Sequence, residues 1–403
     1  VEKCFLVSSF IVNKNLTNLL GICQKPERRI LGLMSGTSLD GLDIALCKIN
    51  GFGKETQVIL ERFKTSPYTA VFKELILGVF AQQQVDLQTL TLLHGAIAQE
   101  HADLVLAALA EWNIWPSEVD VLASHGQTVY HAPAHFHQQT NFGNATLQLG
   151  DGDHLAVKTG ILTLSDFRQK HIAFGGEGAP LVPYGDYLLY NSSTEHRILL
   201  NLGGIANFTY LAMGGKSEDV VASDLGPANT LLDQVVKKEF GQDFDRDGLL
   251  AQAGNVNEAV LNALMQSTFI KAPLPKSTGP ELFNIESLNP LLTQHANNLS
   301  PVDLLATLTQ FTVSAIALQL QLFIRKNTAI YCSGGGVRNT HLMRLLQQAI
   351  PDTPIRTVEN LGIKSEAKEA VLFAVLANET LVGNPFALGT MPALSMGKLS
   401  FPS

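Results

Sequence analysis

A chain of 403 residues, 46% apolar and 16% charged, is long enough for two or three lobes and rich enough in apolar side chains to fill their cores. Its net charge of −8, without a Lys/Arg block, excludes the electrostatic footprint of a duplex nucleic-acid binder but leaves room for a local phosphate pocket. Cys4, Cys23, Cys47 and Cys332 have no C-x-x-C spacing and read as free thiols of a reducing compartment.

Residues 1–28 read as an N-terminal extension. Its apolar run at 4–12 is too short to span a bilayer and lacks the flanks of a signal peptide, so a cytoplasmic protein with no membrane partner is expected. From Ile30, three apolar runs separated by Gly-containing turns (ILGLM, LDIALCKIN, TQVILERF) predict a β-meander. Residues 69–111 carry helical spacing. VDVLASHGQTVYH and ILTLSDFR read as strands running into loops. RILLNLGGIANFTYLAM (197–213) then repeats the strand–turn–strand grammar of RILGLMSGTSLDGLDIALCKI (29–49). Helix-like segments follow it, then the strand AIYCSGGGV, the helix THLMRLLQQAI and a final helix, EAKEAVLFAVLANETL. A duplicated strand–turn–strand unit with crossover helices predicts two α/β lobes around a cleft. The expected boundaries are 29–170 for the first lobe, 171–383 for the second with a helical insertion, and 384–403 for a segment returning to the first.

Three small-residue turns stand at strand ends. Ser35-Gly36-Thr37-Ser38-Leu39-Asp40-Gly41 can cradle a phosphate with successive backbone N–H groups, helped by the hydroxyls of Ser35, Thr37 and Ser38. Asp40 can hold Mg²⁺ through its water shell, because that ion prefers carboxylate, water and phosphate oxygen. The turn is not a Walker A loop, and a plain hairpin turn is the alternative. Asn201–Asn207 and Ser333–Asn339 can serve a nucleotide in the same way, the glycines letting a ligand approach the backbone. Asp166, at a strand end beside Arg168, is the candidate general base, held ionised by that cation. The Gly-rich segment Gly175–Pro180 follows it. His125, His131, His135 and His137 lack a metal-ligand spacing, and His125 reads instead as a strand-end group facing the cleft. Glu281 is a further isolated carboxylate.

LGLMSGTSLDGLD, ASHGQTVYH, LSDFR, GGEGAPLVP, LLNLGGIANFTYL, PKSTGPELF, CSGGGVRN and EAKEAVLFA occur in the order seen in anhydro-N-acetylmuramic acid kinases. Over about residues 30–383 the chain resembles that family. The resemblance implies two duplicated actin-like (ribonuclease H-like) lobes, with ATP and Mg²⁺ as cofactors. It also implies conversion of 1,6-anhydro-N-acetylmuramic acid and water to N-acetylmuramic acid 6-phosphate, and a homodimer. By motif, Ser35, Gly36, Thr37, Ser38, Leu39, Asp40, Gly41 and Leu42 meet the phosphates, with Asp40 toward the metal. Asn201, Gly203, Gly204, Asn207, Gly334, Gly335, Gly336 and Asn339 line the nucleotide side. Asp166, Arg168 and Glu281 serve catalysis, and His125, Gln127, Glu177 and Asp224 the sugar. Three features depart from the family pattern: His171 stands where Asp is frequent, Glu177 replaces a Gln, and Asp224–Asn229 (DLGPAN) replaces DTGPGN. They leave open a kinase for a related anhydro or amino sugar. A catalytically silent sensor of the same fold and a metal-dependent transferase or hydrolase are the alternatives from other classes.

Overall fold

The structure, a computed structural model, describes residues 13–279, 282–295, 299–389 and 391–403. The apolar run at 4–12, Cys4 and the candidate Glu281 lie outside the described residues. The chain forms two compact units. The first runs to Leu189 and adds Ala367–Ala387 and Met391–Ser403; the second comprises Tyr190–Glu366 and Leu388–Thr390.

The first unit holds β1 (Glu27–Ser35), β2 (Gly41–Asn50), β3 (Gln57–Pro67), β4 (Val121–Ala132), β5 (Ala145–Leu149) and β6 (Thr163–Ser165). The second holds β7 (His196–Leu202), β8 (Ile205–Leu211), β9 (Val221–Pro227), β10 (Thr328–Ser333) and β11 (Ile355–Thr357). Near the C-terminus β12 (Phe386–Leu388) pairs with β13 (Met391–Leu394), and β14 (Lys398–Ser400) pairs antiparallel with β6. The sheet orders are β14-β6-β4-β1-β2-β3, with β5 on β4, and β11-β10-β7-β8-β9. In both, an antiparallel meander (β1-β2-β3, β7-β8-β9) continues from its first strand into parallel strands reached by helical crossovers. The two orders are the same topology twice, which is the duplicated actin-like fold.

The local reasons are legible. β1 and β2 are buried along most of their length, with apolar cores ILGLM and IALC, because helices cover both faces of their sheet. On one side the helix Leu87–Glu111 starts at the Asp86 cap, whose carboxylate accepts the Thr89 N–H at 2.8 Å, and buries Leu93, Ile97, Val105 and Leu109. In the second unit the helix Pro301–Leu320 is long and apolar enough to cross a membrane, but it buries Leu305, Leu308, Phe311, Val313, Ile316 and Leu320 in protein cores.

The lobe boundaries differ from the expected ones. Residues 171–189 and the helix Lys368–Val382 belong to the first unit, not the second. The helix lies directly on β1: a Cβ at Gly32 would stand 1.9 Å from the Ala370 carbonyl oxygen. Its far end is tied down by polar groups. Arg28 Nε donates to Asn378 Oδ1 at 2.7 Å, Asn378 Nδ2 to the Gly51 carbonyl at 3.1 Å, and the Gly53 N–H to Glu379 Oε1 at 2.9 Å. Segmentation by sequence order placed the helix with its chain neighbours; backbone contact at Gly32 places it with β1.

Gly32→Ala should destabilise the protein by about 3 kcal/mol or more, the upper end of overpacking costs, because the clash is with backbone. Gly21→Ala, in the helix Lys14–Gln24 with open space around it, should be neutral or stabilising. Urea unfolding of both variants against the parent checks the contrast.

Candidate active site

The turn between β1 and β2 exposes Thr37, Ser38 and Asp40 and buries Leu39, which takes a left-handed φ of 57°. Gly36 faces open space: a Cβ there would meet only Ser38 Oγ, at 3.7 Å. Gly41 is different, since a Cβ would stand 2.3 Å from the Ser66 carbonyl oxygen. The Ser35 hydroxyl turns inward and is bonded to Gln127 Oε1, while it accepts from the Tyr68 hydroxyl at 2.9 Å. The donors left for an anion are therefore backbone N–H groups and the hydroxyls of Thr37 and Ser38, not Ser35 Oγ. Asp40 is a single exposed carboxylate, and no cluster of three metal-ligating side chains occurs among the described residues. One carboxylate suits Mg²⁺ brought in on nucleotide phosphates rather than an all-protein cage.

His125 and Gln127 were expected to face a ligand, but the structure buries both, at 2% and 0% exposure. His125 Nε2 accepts from Arg168 Nε at 3.0 Å, and its ring lies 4.9 Å from that of Phe373. Burial, then the Arg168 charge, pushes its pKa well down, so it stays neutral. Gln127 Nε2 donates to the carbonyls of Gly36 (3.2 Å) and Thr128 (3.1 Å). Both residues support the loops beside them.

Arg168 does not pair with Asp166. Its Nη1 donates to the Gly178 carbonyl at 2.7 Å, clamping the 175–180 loop. That loop also donates its Gly178 N–H to His171 Nδ1 at 2.9 Å, which gives the departure at 171 a function as a neutral acceptor. Glu177 meets His135 Nδ1 at 3.0 Å. Asp166, at φ 57° before the helix Phe167–Ala173, is bonded instead to Lys398 on β14. A residue that sequence reading passed over, Glu369 in the EAKEA segment, keeps solvent access. Crowding by surrounding protein pushes its carboxyl up, while the Arg168 and Lys368 charges pull it down. Its signal was the motif itself, whose carboxylates went unread.

In the second unit the ladder aligns Asp224 with Asn207, Asn207 with Asn201, and Asn201 with Ser333, one row across four strands. Asp224 Oδ2 accepts the Thr278 N–H at 2.8 Å, anchoring the PKST segment along β9. The glycines divide by use. A Cβ at Gly334 or Gly336 would stand 2.7 Å from Leu202, and one at Gly204 would stand 2.6 Å from Thr230 Oγ1. Only Gly203 and Gly335 have comparatively open faces, their nearest atoms being 3.3 Å and 3.9 Å away. Asn339 caps the helix Thr340–Ala349, its Oδ1 accepting the Leu342 N–H at 2.9 Å.

The sequence signature described as Anhydro-N-acetylmuramic acid kinase matches residues 28–397, which takes in every one of these turns and carboxylates. The chain belongs to the anhydro-N-acetylmuramic acid kinase family. Relatives bearing that name are 47% identical in Pseudoalteromonas atlantica and 46% in Pseudoalteromonas translucida, each match covering 97% of this chain and 100% of the relative. One from Caldanaerobacter subterraneus is 38% identical over 96% of this chain and 100% of its own. In this family member the departure before the 175–180 loop and the one within it are thus both engaged within the protein, His171 by backbone and Glu177 by His135.

Buried imidazoles make the first unit acid-sensitive. Burial lowers the His101 pKa from 6.5 to about 4 and moves His125 the same way. Below about pH 6.5 the unfolded chain binds a proton that folded His101 refuses, so stability is complete above that pH and falls toward about pH 4. The loss from His101 is about 3 kcal/mol. Urea unfolding at pH 7 and pH 4.5 should show the drop, and His101→Gln should reduce it.

Proposed function

We propose that this chain, acting as a cytoplasmic homodimer, uses ATP to convert 1,6-anhydro-N-acetylmuramic acid and water to N-acetylmuramic acid 6-phosphate in peptidoglycan recycling. The observation that carries the reading is family membership over nearly the whole chain, with the open Gly36 turn retained.

The anhydro bridge leaves no free 6-hydroxyl, so ring opening and phosphorylation must be joined. A base takes a proton from water as its oxygen attacks the anomeric carbon. The bond from that carbon to O6 breaks, its electron pair going to O6. O6 then attacks the γ-phosphorus, and ADP leaves. The N–H groups of the turn Ser35–Leu42, with the Thr37 and Ser38 hydroxyls, hold the phosphates. Gly335, and less freely Gly203, offer backbone to the nucleotide. Asp40 would hold Mg²⁺ through the ion's water shell, and the ion would supply neutralisation of phosphate charge. Arg168 holds the 175–180 loop in place for the sugar, so its part is positioning.

Asp166 is the first candidate base. One observation favours a second. Asp166 is bonded to the Lys398 ammonium on β14, whereas Asp224 stands in a row of polar side chains with Asn207, Asn201 and Ser333 across the second sheet. The test is turnover of ATP against the anhydro sugar, with the product identified by mass, for Asp166→Asn and Asp224→Asn. Loss of the base should lower kcat by about 10²–10⁴ with little change in ATP affinity. Near-normal kcat in Asp166→Asn, with collapse in Asp224→Asn, assigns the role to Asp224. No phosphorylated sugar from the parent protein overturns the kinase reading.

A further inference from the structure

Four buried polar residues from four segments of the first unit lie in contact beneath the Ser35–Leu42 turn. They are Ser35 at the end of β1, Tyr68 just after β3, His101 in the helix Leu87–Glu111, and Gln127 in β4. Ser35, Tyr68, His101 and Gln127 are 1%, 5%, 0% and 0% exposed, so their polar atoms have only one another and nearby backbone as partners.

Proton counting gives the chain one direction. Both bonds of the Gln127 amide nitrogen run to carbonyls, of Gly36 and Thr128, so its Oε1 faces Ser35 and must accept. The Ser35 hydroxyl therefore donates to Gln127. Its lone pair takes the one proton of the Tyr68 hydroxyl, at 2.9 Å. Tyr68 oxygen can then only accept from His101 Nε2, 2.8 Å away, which must carry a hydrogen. His101 Nδ1 is left as a bare acceptor, buried without a partner. Burial keeps the imidazole neutral at neutral pH, in agreement with that tautomer. Tyr68 also grips the other end of the turn, its backbone N–H donating to the Asp40 carbonyl at 3.3 Å.

We propose that Tyr68 and His101 are positioning residues for the phosphate-binding turn: the one-way chain His101→Tyr68→Ser35→Gln127→Gly36 holds it ready for nucleotide. The inference rests on the reading of Ser35–Leu42 as the phosphate site. A turn that binds anions with backbone N–H groups cannot spend those same groups on its own shape, and the Leu39 N–H that closes this turn on the Gly36 carbonyl is long, at 3.4 Å. Its rigidity has to come from carbonyls and side chains on the inner face, and this chain supplies both. Neither residue touches the ligand.

The experiment is calorimetric titration of the full protein with the β,γ-imido analogue of ATP and Mg²⁺, well below each variant's melting temperature. Tyr68→Phe keeps the ring and removes only the hydroxyl. It should raise the Kd for the analogue, and KM for ATP, about 3- to 10-fold, the size of one lost neutral hydrogen bond, while KM for the anhydro sugar holds. His101→Leu, which cannot donate, should act alike. His101→Gln, which keeps a donor nitrogen, should stay near the parent. A Cβ at Gly36 would meet only Ser38 Oγ, at 3.7 Å, so Gly36→Val directs its bulk into the open space over the turn. If Gly36→Val weakens analogue binding and Tyr68→Phe does not, even where Tyr68→Phe lowers the melting temperature, the chain is merely structural and the proposal falls. If Gly36→Val leaves binding unchanged, the turn is not the phosphate site, and both readings fall together.

Discussion

The first unit depends on one contact, backbone against backbone, between Gly32 in β1 and Ala370 in the helix Lys368–Val382. No side chain separates the two elements there. The approach is possible only because position 32 has no Cβ, and it covers the otherwise bare face of a sheet whose central strands are apolar on both sides. The interaction joins residues more than 300 positions apart. It thereby makes one folding unit from the two ends of the chain, and it brings Glu369 into electrostatic range of Arg168.

The same logic sorts the glycine-rich turns. Read as letters, SGTSLDG, NLGGIAN and SGGGVRN each look like a ligand cradle. In three dimensions most of these glycines serve packing. Gly41 clears Ser66, Gly204 clears Thr230, and Gly334 and Gly336 clear Leu202. Gly36, Gly203 and Gly335 remain as the more open positions. The open backbone in these turns is thus smaller than the motifs, and the rest of each motif secures the turn that carries it.

Polar residues near the candidate site follow a matching division. Thr37, Ser38 and Asp40 stand at the surface, exposed. Those beneath, Ser35, His125, Gln127, His171 and Arg168, are bonded to one another or to loop backbone. A buried polar group without a partner is costly, so inward-facing members of a motif find their partners within the protein.

Much of this was legible in the sequence because it rests on local rules. Apolar runs broken by small-residue turns identified the first β-meander, and the strand–turn–strand recurrence at 29–49 and 197–213 announced the duplication that the two sheet orders realise. The motif order named the family. What the chain order could not reveal were pairings set by tertiary contact. Arg168 lies two positions after the DFR carboxylate yet turns to His125 and Gly178, leaving Asp166 to Lys398, 232 residues away. Tyr68 and His101 carry no motif, and each lies 33 residues from its partner in the chain that ends at Gly36. Sequence determines which groups are present and which segments alternate or coil. Only the folded structure decides which donor meets which acceptor, because a hydrogen bond depends on distances of about 3 Å that no spacing along an unfolded chain specifies.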